Sequence, residues 1–221
     1  MTEEALIPTM KRIDNKNRKI KVPFVNVALI FLCTLLIICS TFVNINLQHY
    51  ILPKGYFDGG NFIKDDFIYS FFIIPQIPVL MFVCSAIGKK LATTCVCIYF
   101  LLGITAFPLF ALGGGIGYIT EYSFGYIFAF IPAVIIAGNI LGKKYSFLNM
   151  LLAALSAVLI IHIIGIAYMT LLALLKHDGM SFIQGWIGAQ SGLKMVYDFV
   201  LSFVCIIIGK YIRAFFKFIT D

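Results

Sequence analysis

Long apolar runs separated by short polar stretches fill the chain from residue 24 onward. Most runs approach the length of about 20 residues that a helix needs to cross a bilayer. The pattern predicts an all-α polytopic membrane protein with six transmembrane helices. Their approximate bounds are 24–43, 67–87, 91–107, 124–141, 147–175 and, for the last, 188 or 193 to 208. We therefore expect a single transmembrane domain over 1–221, with a tail at 1–23 and the bundle at 24–216.

Three interruptions of this pattern are candidates for function. The turn-rich segment 44–66 is too long for a minimal connection and is predicted to be a lid or re-entrant loop. Pro75 and Pro78 predict a kinked or unwound outer end for the second span. The glycines at 113–115 predict a loop or broken helix whose backbone can approach a ligand closely.

Composition excludes several classes of protein. Hydrophobic residues make up 61% of the 221 residues and charged residues only 12%, too little polar surface for a soluble domain. No phosphate-binding Gly-Lys-Ser/Thr sequence and no nucleophile–base set is present. The six cysteines lie in apolar runs without the spacing of a metal or redox site. We predict no enzyme activity, no cofactor and no metal.

The net charge is +7, and the positions of the cations along the chain indicate the membrane topology. Thirteen of the 17 Lys and Arg fall on one side of six alternating spans, which places both termini in the cytoplasm by the positive-inside rule. We therefore expect a multi-pass protein in lipid and see no need for a nucleic-acid partner. The cytoplasmic cations are Lys11, Arg12, Lys16, Arg18, Lys19, Lys21, Lys89, Lys90, Lys143, Lys144, Lys210, Arg213 and Lys217.

Lys194 is the cation that topology does not explain. It lies four residues before Asp198, so both share one face of the last span. They could form an internal ion pair that only orients the helix. Alternatively, Lys194 could bind a ligand carboxylate while Asp198 holds it in place or accepts a ligand N–H. His162, alone in the fifth span, is expected to bond to a neighbouring helix, and Glu121 is expected to be a solvated loop carboxylate.

Several short motifs in residues 74–137 resemble, in order and spacing, those of the BioY family. They are Gln76, Gly88-Lys-Lys, Tyr99-Phe-Leu-Leu-Gly103, Phe107-Pro-Leu-Phe110, Gly113-Gly-Gly115 and Tyr122-Ser-Phe-Gly-Tyr126. This family comprises biotin-binding S components of energy-coupling factor (ECF) transporters. The resemblance implies uptake of biotin or a related vitamin carboxylate across a bacterial plasma membrane, with a transmembrane coupling subunit and ATPases as partners.

The last span departs from the family's pattern. The family's Lys is kept as Lys194, but Ser191 stands where the family has Asp, and Asp198 could substitute one turn later. A retained Lys suits a carboxylate, and lipoate is an alternative to biotin. A subunit of a membrane complex that binds no ligand is a further alternative. The predicted ligand-binding residues are Lys194, Asp198, Ser191, Gln76, Gly113, Gly114, Gly115, Tyr122, Ser123 and Trp186.

Overall fold

The computed structural model describes residues 24–53, 56–59, 61–105, 107–143 and 145–220, with side chains described up to residue 215 in the last range. The basic tail at 1–23, on which part of the topology prediction rests, lies outside the described residues. Lys54, Lys144 and the side chain of Lys217 lie outside them as well.

The described part of the chain is mostly helical, as predicted. It contains two strands, β1 (Ile45–Tyr50) and β2 (Ile68–Ile73), and three short 3-10 helices at Tyr56–Asp58, Lys64–Phe67 and Ile116–Thr120. The α-helices are α1 (Phe24–Thr41), α2 (Gln76–Ile87), α3 (Lys89–Thr105), α4 (Phe124–Phe128), α5 (Phe130–Lys143), α6 (Phe147–Leu175), α7 (Met180–Ser191) and α8 (Leu193–Thr220).

Four helical stretches among the described residues are long and apolar enough to cross a membrane: Phe24–Thr41, Phe124–Lys143, Phe147–Leu175 and Met180–Phe215. Helices α2 and α3, with 12 and 17 residues, are shorter. The total of six spans therefore stays a prediction. The 29 residues of α6 extend for about 43 Å, more than the hydrocarbon core of about 30 Å.

The segment before α2 differs from the prediction. Residues 67–73 were expected to begin the second span, and residues 44–66 to be a loop. Instead, β1 and β2 form an antiparallel hairpin that pairs Ile45 with Ile73 and Tyr50 with Ile68. Aromatic and β-branched residues fill β2 and favour a strand. Pro75 also disfavours helix in the residue before it, so α2 begins only at Gln76.

The last span also differs in its bounds. The polar stretch predicted at 176–181 leads into α7, and Gly192 separates α7 from α8. Helix α8 begins at Leu193, one of the two predicted starts, but continues to Thr220, beyond the predicted end at 208. Lys210 and Arg213, which were predicted to follow the last span, are therefore part of α8.

Helix α2 lies at the centre of the bundle. It packs most extensively on α8 and also contacts α1, α3 and α5. Its core side chains include the fully buried Leu80, Met81 and Val83. Small residues allow the closest helix contacts, and at Gly138 of α5 an added Cβ would lie 2.7 Å from Lys89 Cβ and 3.1 Å from Lys89 Cα at the start of α3.

Two glycines of α5 give a matched test of this packing. Gly138→Ala should lower the free energy of unfolding by about 1–3 kcal/mol, because the new methyl group overlaps the stem of Lys89. Gly142→Ala, one turn later, meets nothing within 4 Å and should leave stability unchanged or slightly raised. Thermal unfolding of both purified variants in detergent measures the difference. Equal melting temperatures for the two variants would disprove the close contact.

Candidate functional site

A cavity of about 150 Å³ lies where the start of α2, the loop between α3 and α4, and the start of α8 meet. Its wall is mostly apolar, with side chains such as Ile74, Ile77, Leu112, Phe130 and Ile161. Eight polar residues also line it, although apolar atoms make up most of the exposed wall. The polar lining residues are Gln76, Tyr118, Ser123, Tyr126, His162, Gln190, Lys194 and Asp198. An apolar chamber with a few placed polar groups is the usual form of a small-molecule site.

Lys194 places an ammonium group in this cavity from the first turn of α8. Its Nζ donates a hydrogen bond to Gln190 Oε1 on α7 at 3.1 Å. Among the described residues, no carboxylate lies within 4.0 Å of this ammonium, so Lys194 and Asp198 do not form the ion pair that their spacing allowed. An ammonium has three N–H donors. Two of them therefore remain for a ligand.

Asp198 lies one helical turn further along α8 and is fully buried. Its nearest ionisable partner is His162 on α6, with 3.5 Å between His162 Nε2 and Asp198 Oδ2. Neither carboxylate oxygen accepts a hydrogen bond, and His162 Nε2 also lacks a hydrogen-bond partner. A buried carboxylate without donors is costly. This acceptor on the cavity wall therefore suits a ligand that brings N–H groups.

His162 is held by a chain of hydrogen bonds behind the cavity. Its Nδ1 lies 2.8 Å from Ser191 Oγ, and Ser191 Oγ lies 2.8 Å from the hydroxyl of Tyr126. Ser191 itself does not line the cavity. Gly165 of α6 accommodates the ring of Tyr126, which an added Cβ would overlap. The structure thus places Ser191 as a support for two lining residues.

Gln76, the first residue of α2, lines the cavity, and two hydrogen bonds fix the orientation of its side-chain amide. Its Nε2 donates to Thr41 Oγ1 at 2.6 Å and to the hydroxyl of Tyr99 at 2.8 Å. Since both bonds use the amide nitrogen, the carbonyl oxygen is the group that remains for a ligand N–H.

The glycine loop shapes the cavity without lining it. Gly113 and Gly115 have φ values of 125° and 82°, which favour glycine. Gly114 is pressed against the backbone, so that an added Cβ would lie 2.7 Å from Pro108 Cα and 2.8 Å from Gly103 O. This tight loop brings Leu112, which directly precedes Gly113, to the cavity wall.

Ser123 and Tyr118 line the cavity, whereas Tyr122 belongs to a different part of the structure. Ser123 lines the cavity, and its Oγ lies 2.8 Å from the hydroxyl of Tyr118, whose pKa is raised by burial. Tyr122 points elsewhere and donates to Asp178 Oδ2 at 2.6 Å, a bond that raises the pKa of Tyr122 to about 12. Glu121 does not line the cavity.

Tyr122 and Trp186 belong to a separate aromatic cluster. Their ring centroids are 5.3 Å apart, and Lys176 Nζ lies 4.3 Å from the centroid of Tyr122. Trp186 packs with Met169 and Ala173, and its Nε1 is buried without a hydrogen-bond partner. Neither ring lines the cavity that contains Lys194.

Gln190 and His162 line the cavity but were not among the predicted ligand-binding residues. Gln190 had a usable signal, because it precedes Lys194 by four residues and a polar residue there can reach the ammonium. His162 was seen as a lone intramembrane histidine. Its partners come from α7 and α8, 29 and 36 positions away, and no local pattern indicates them.

Ser191→Ala tests the supporting role of Ser191. Removing its hydroxyl leaves buried groups of His162 and Tyr126 unpaired, which should cost about 1–3 kcal/mol of stability. Ser156→Ala is a suitable control, since Ser156 Oγ only donates to Ala153 O within α6 at 3.2 Å. Thermal unfolding should show a clear loss for Ser191→Ala alone. Equal stability of the two variants would refute the network.

Comparisons with known proteins address the family and the fold. The model of the BioY family matches residues 13–218 of this chain. No curated protein sequence matches it. A solved structure, the S-component for biotin from an ECF-type ABC transporter, superposes with a TM-score of 0.61 at 18% identity. The match covers 86% of this chain and 91% of that one, so the two share a fold.

Proposed function

Because the chain belongs to the BioY family, we propose that it is the substrate-binding membrane subunit of an uptake transporter for biotin or a closely related vitamin carboxylate. The family consists of transporter S components and not of enzymes. The structural neighbour is itself a biotin S-component. The observation that carries the proposal is the presence of Lys194 and an Asp198 without hydrogen-bond donors in one largely apolar cavity.

The polar groups of the cavity match the two ends of such a ligand. Biotin has a carboxylate on an aliphatic chain and a ureido ring with two N–H donors. The carboxylate would bind the free donors of Lys194. The ureido N–H groups would donate to Asp198 and to the carbonyl oxygen of Gln76. Apolar side chains such as Ile77 and Phe130 would pack against the carbon skeleton between the two ends.

Asp198 favours biotin over lipoate, the alternative acid. Lipoate carries a carboxylate but no N–H donor, so it would occupy Lys194 and leave the buried Asp198 unpaired. A site that is built to accept hydrogen bonds discriminates strongly against a ligand that lacks the donor. Recognition of the ureido ring would therefore rest on Asp198 rather than on Ser191.

The partners and the membrane orientation are further parts of the proposal. An S component has no nucleotide site of its own, so a transmembrane coupling subunit and two cytosolic ATPases would supply the energy. The charge distribution supports cytoplasmic termini, which puts the Lys194 cavity near the outer face of a bacterial plasma membrane. Residues 1–221 would form one transmembrane unit that releases the ligand after a conformational change driven by the ATPases.

Lys194→Ala should remove most biotin binding. Losing a charge-assisted hydrogen bond costs about 1.5–3 kcal/mol, or a rise in Kd of roughly ten- to hundredfold. Lys176→Ala is the matched control, because Lys176 is a nearby cation outside the cavity. Calorimetric titration of the purified variants with biotin compares them. If Lys194→Ala binds every tested acid as wild type does, the assignment of Lys194 is wrong.

Asp198→Asn separates the two ends of the ligand. The amide keeps the size of the side chain but removes its charge and one acceptor, so biotin should bind at least about tenfold more weakly. Weak binding of lipoate, which cannot use Asp198, should change little. A parallel loss of affinity for both acids would indicate that Asp198 acts only through Lys194 or through the fold.

A thermal-shift panel in detergent decides between a carrier and an assembly subunit without a ligand. Biotin at 100 times its Kd should stabilise the protein by about 2.7 kcal/mol. Lipoate and other vitamin carboxylates provide the comparison, and an uncharged biotin amide tests the need for the carboxylate. The absence of a shift with every compound would support the assembly subunit.

A further inference from the structure

A second cavity, of about 210 Å³, lies where α2 and α5 end, α3 begins and α8 passes. It is at the other end of the bundle from the Lys194 site. Asp198 and Arg213, one in each cavity, are 15 positions apart on α8, which corresponds to about 22 Å along the helix. None of the residues that line it belongs to the proposed biotin site.

Two cations line this second cavity, and their hydrogen-bond partners among the described residues are neutral. Arg213 Nη1 donates to the hydroxyl of Tyr145 at 3.1 Å, and that hydroxyl donates to Ser85 O at 2.8 Å. Lys89 Nζ donates to Asn139 Oδ1 at 2.7 Å. Within the described part of the chain, neither positive charge therefore has a counter-charge.

Acidic residues within the described part of the chain lie elsewhere. They are Asp58, Asp65, Asp66, Glu121, Asp178 and Asp198. Five of them are in the loops on the far side of the bundle, and Asp198 lies in the first cavity. No carboxylate among the described residues is within 4.0 Å of Lys89 or Arg213. The charges at this end can therefore be balanced only by something other than these residues.

The start of α3 adds a third positive group. Its first turn contains two lysines and no acidic residue, so nothing there offsets the positive end of the helix dipole. Gly88, with φ of 83°, allows the guanidinium to lie over the turn between α2 and α3, since an added Cβ would be 3.4 Å from Arg213 Nη1. Three positive groups thus converge on one cavity, an arrangement that an anion would stabilise.

We propose that this cavity binds the phosphate group of an anionic phospholipid. Basic pockets between transmembrane helices on the cytoplasmic side are suited to such headgroups. Arg213 also lines an adjoining cavity with Lys210, which extends the basic surface along α8. Phe147, two residues after Tyr145, and Ile208, five residues before Arg213, are exposed and can contact acyl chains. A phosphate next to an apolar flank is the chemistry of a phospholipid.

Native mass spectrometry and thermal unfolding of the purified full chain in detergent can test this site. Phosphatidylglycerol should remain bound and raise the melting temperature, whereas phosphatidylcholine with the same acyl chains should do neither. The double variant Lys89→Gln/Arg213→Gln should bind phosphatidylglycerol roughly thirtyfold more weakly, because each cation contributes a factor of about five. Lys90→Gln/Lys143→Gln removes two cations from the same end but none from the cavity, and should bind as wild type does.

Three results would overturn the proposal. Equal retention of the two lipids by wild type would exclude headgroup recognition. Equal loss in both double variants would show attraction to the whole basic surface rather than to the cavity. Inorganic phosphate or glycerol phosphate that stabilises the protein as strongly as the lipid would identify a soluble anion as the ligand. Because retention is measured first on wild type, a variant that fails to fold does not prevent the test.

Discussion

Asp198 is fully buried on α8, and neither of its carboxylate oxygens accepts a hydrogen bond. This places a strong demand on its surroundings, because a buried carboxylate is stable only when donors or a positive charge reach it. His162 approaches to 3.5 Å, which makes an ion pair only when its imidazole is protonated, and Lys194 lies one turn away; neither donates a hydrogen bond to the carboxylate. The carboxylate of Asp198 therefore remains available to accept hydrogen bonds from a ligand. We interpret the cavity as a site whose electrostatics are completed by a ligand with its own N–H groups.

The rest of the fold holds the groups around this carboxylate in position. Ser191 fixes the imidazole of His162 from behind, and Gln190 holds the ammonium of Lys194. Gln190 and Ser191 are the last two residues of α7, so the break at Gly192 sets the distance of their side chains from α8. Across the cavity, Thr41 and Tyr99 orient the amide of Gln76. Three separate helices therefore hold polar groups rigidly, which reduces the cost of ordering them when a ligand binds.

Much of the helical frame could be predicted from the sequence, because long apolar runs have few alternatives in a membrane. The loop at the glycines also followed from local signals, and so did the choice of Lys194, which lies in the cavity wall. The β-hairpin was missed, since a short aromatic strand next to a helix looks like a continuation of it by composition. The network of His162, Ser191 and Tyr126 was missed for a different reason. Its members are far apart in sequence, and only tertiary packing brings them together.

A structure of the purified chain with bound biotin would locate both ends of the ligand. We expect the ligand carboxylate to lie within hydrogen-bond distance of Lys194 Nζ and a ureido N–H to donate to a carboxylate oxygen of Asp198. We also expect the His162–Ser191 hydrogen bond to stay in place. Biotin bound with its two ends reversed, or bound at the aromatic cluster of Tyr122 and Trp186, would contradict these expectations.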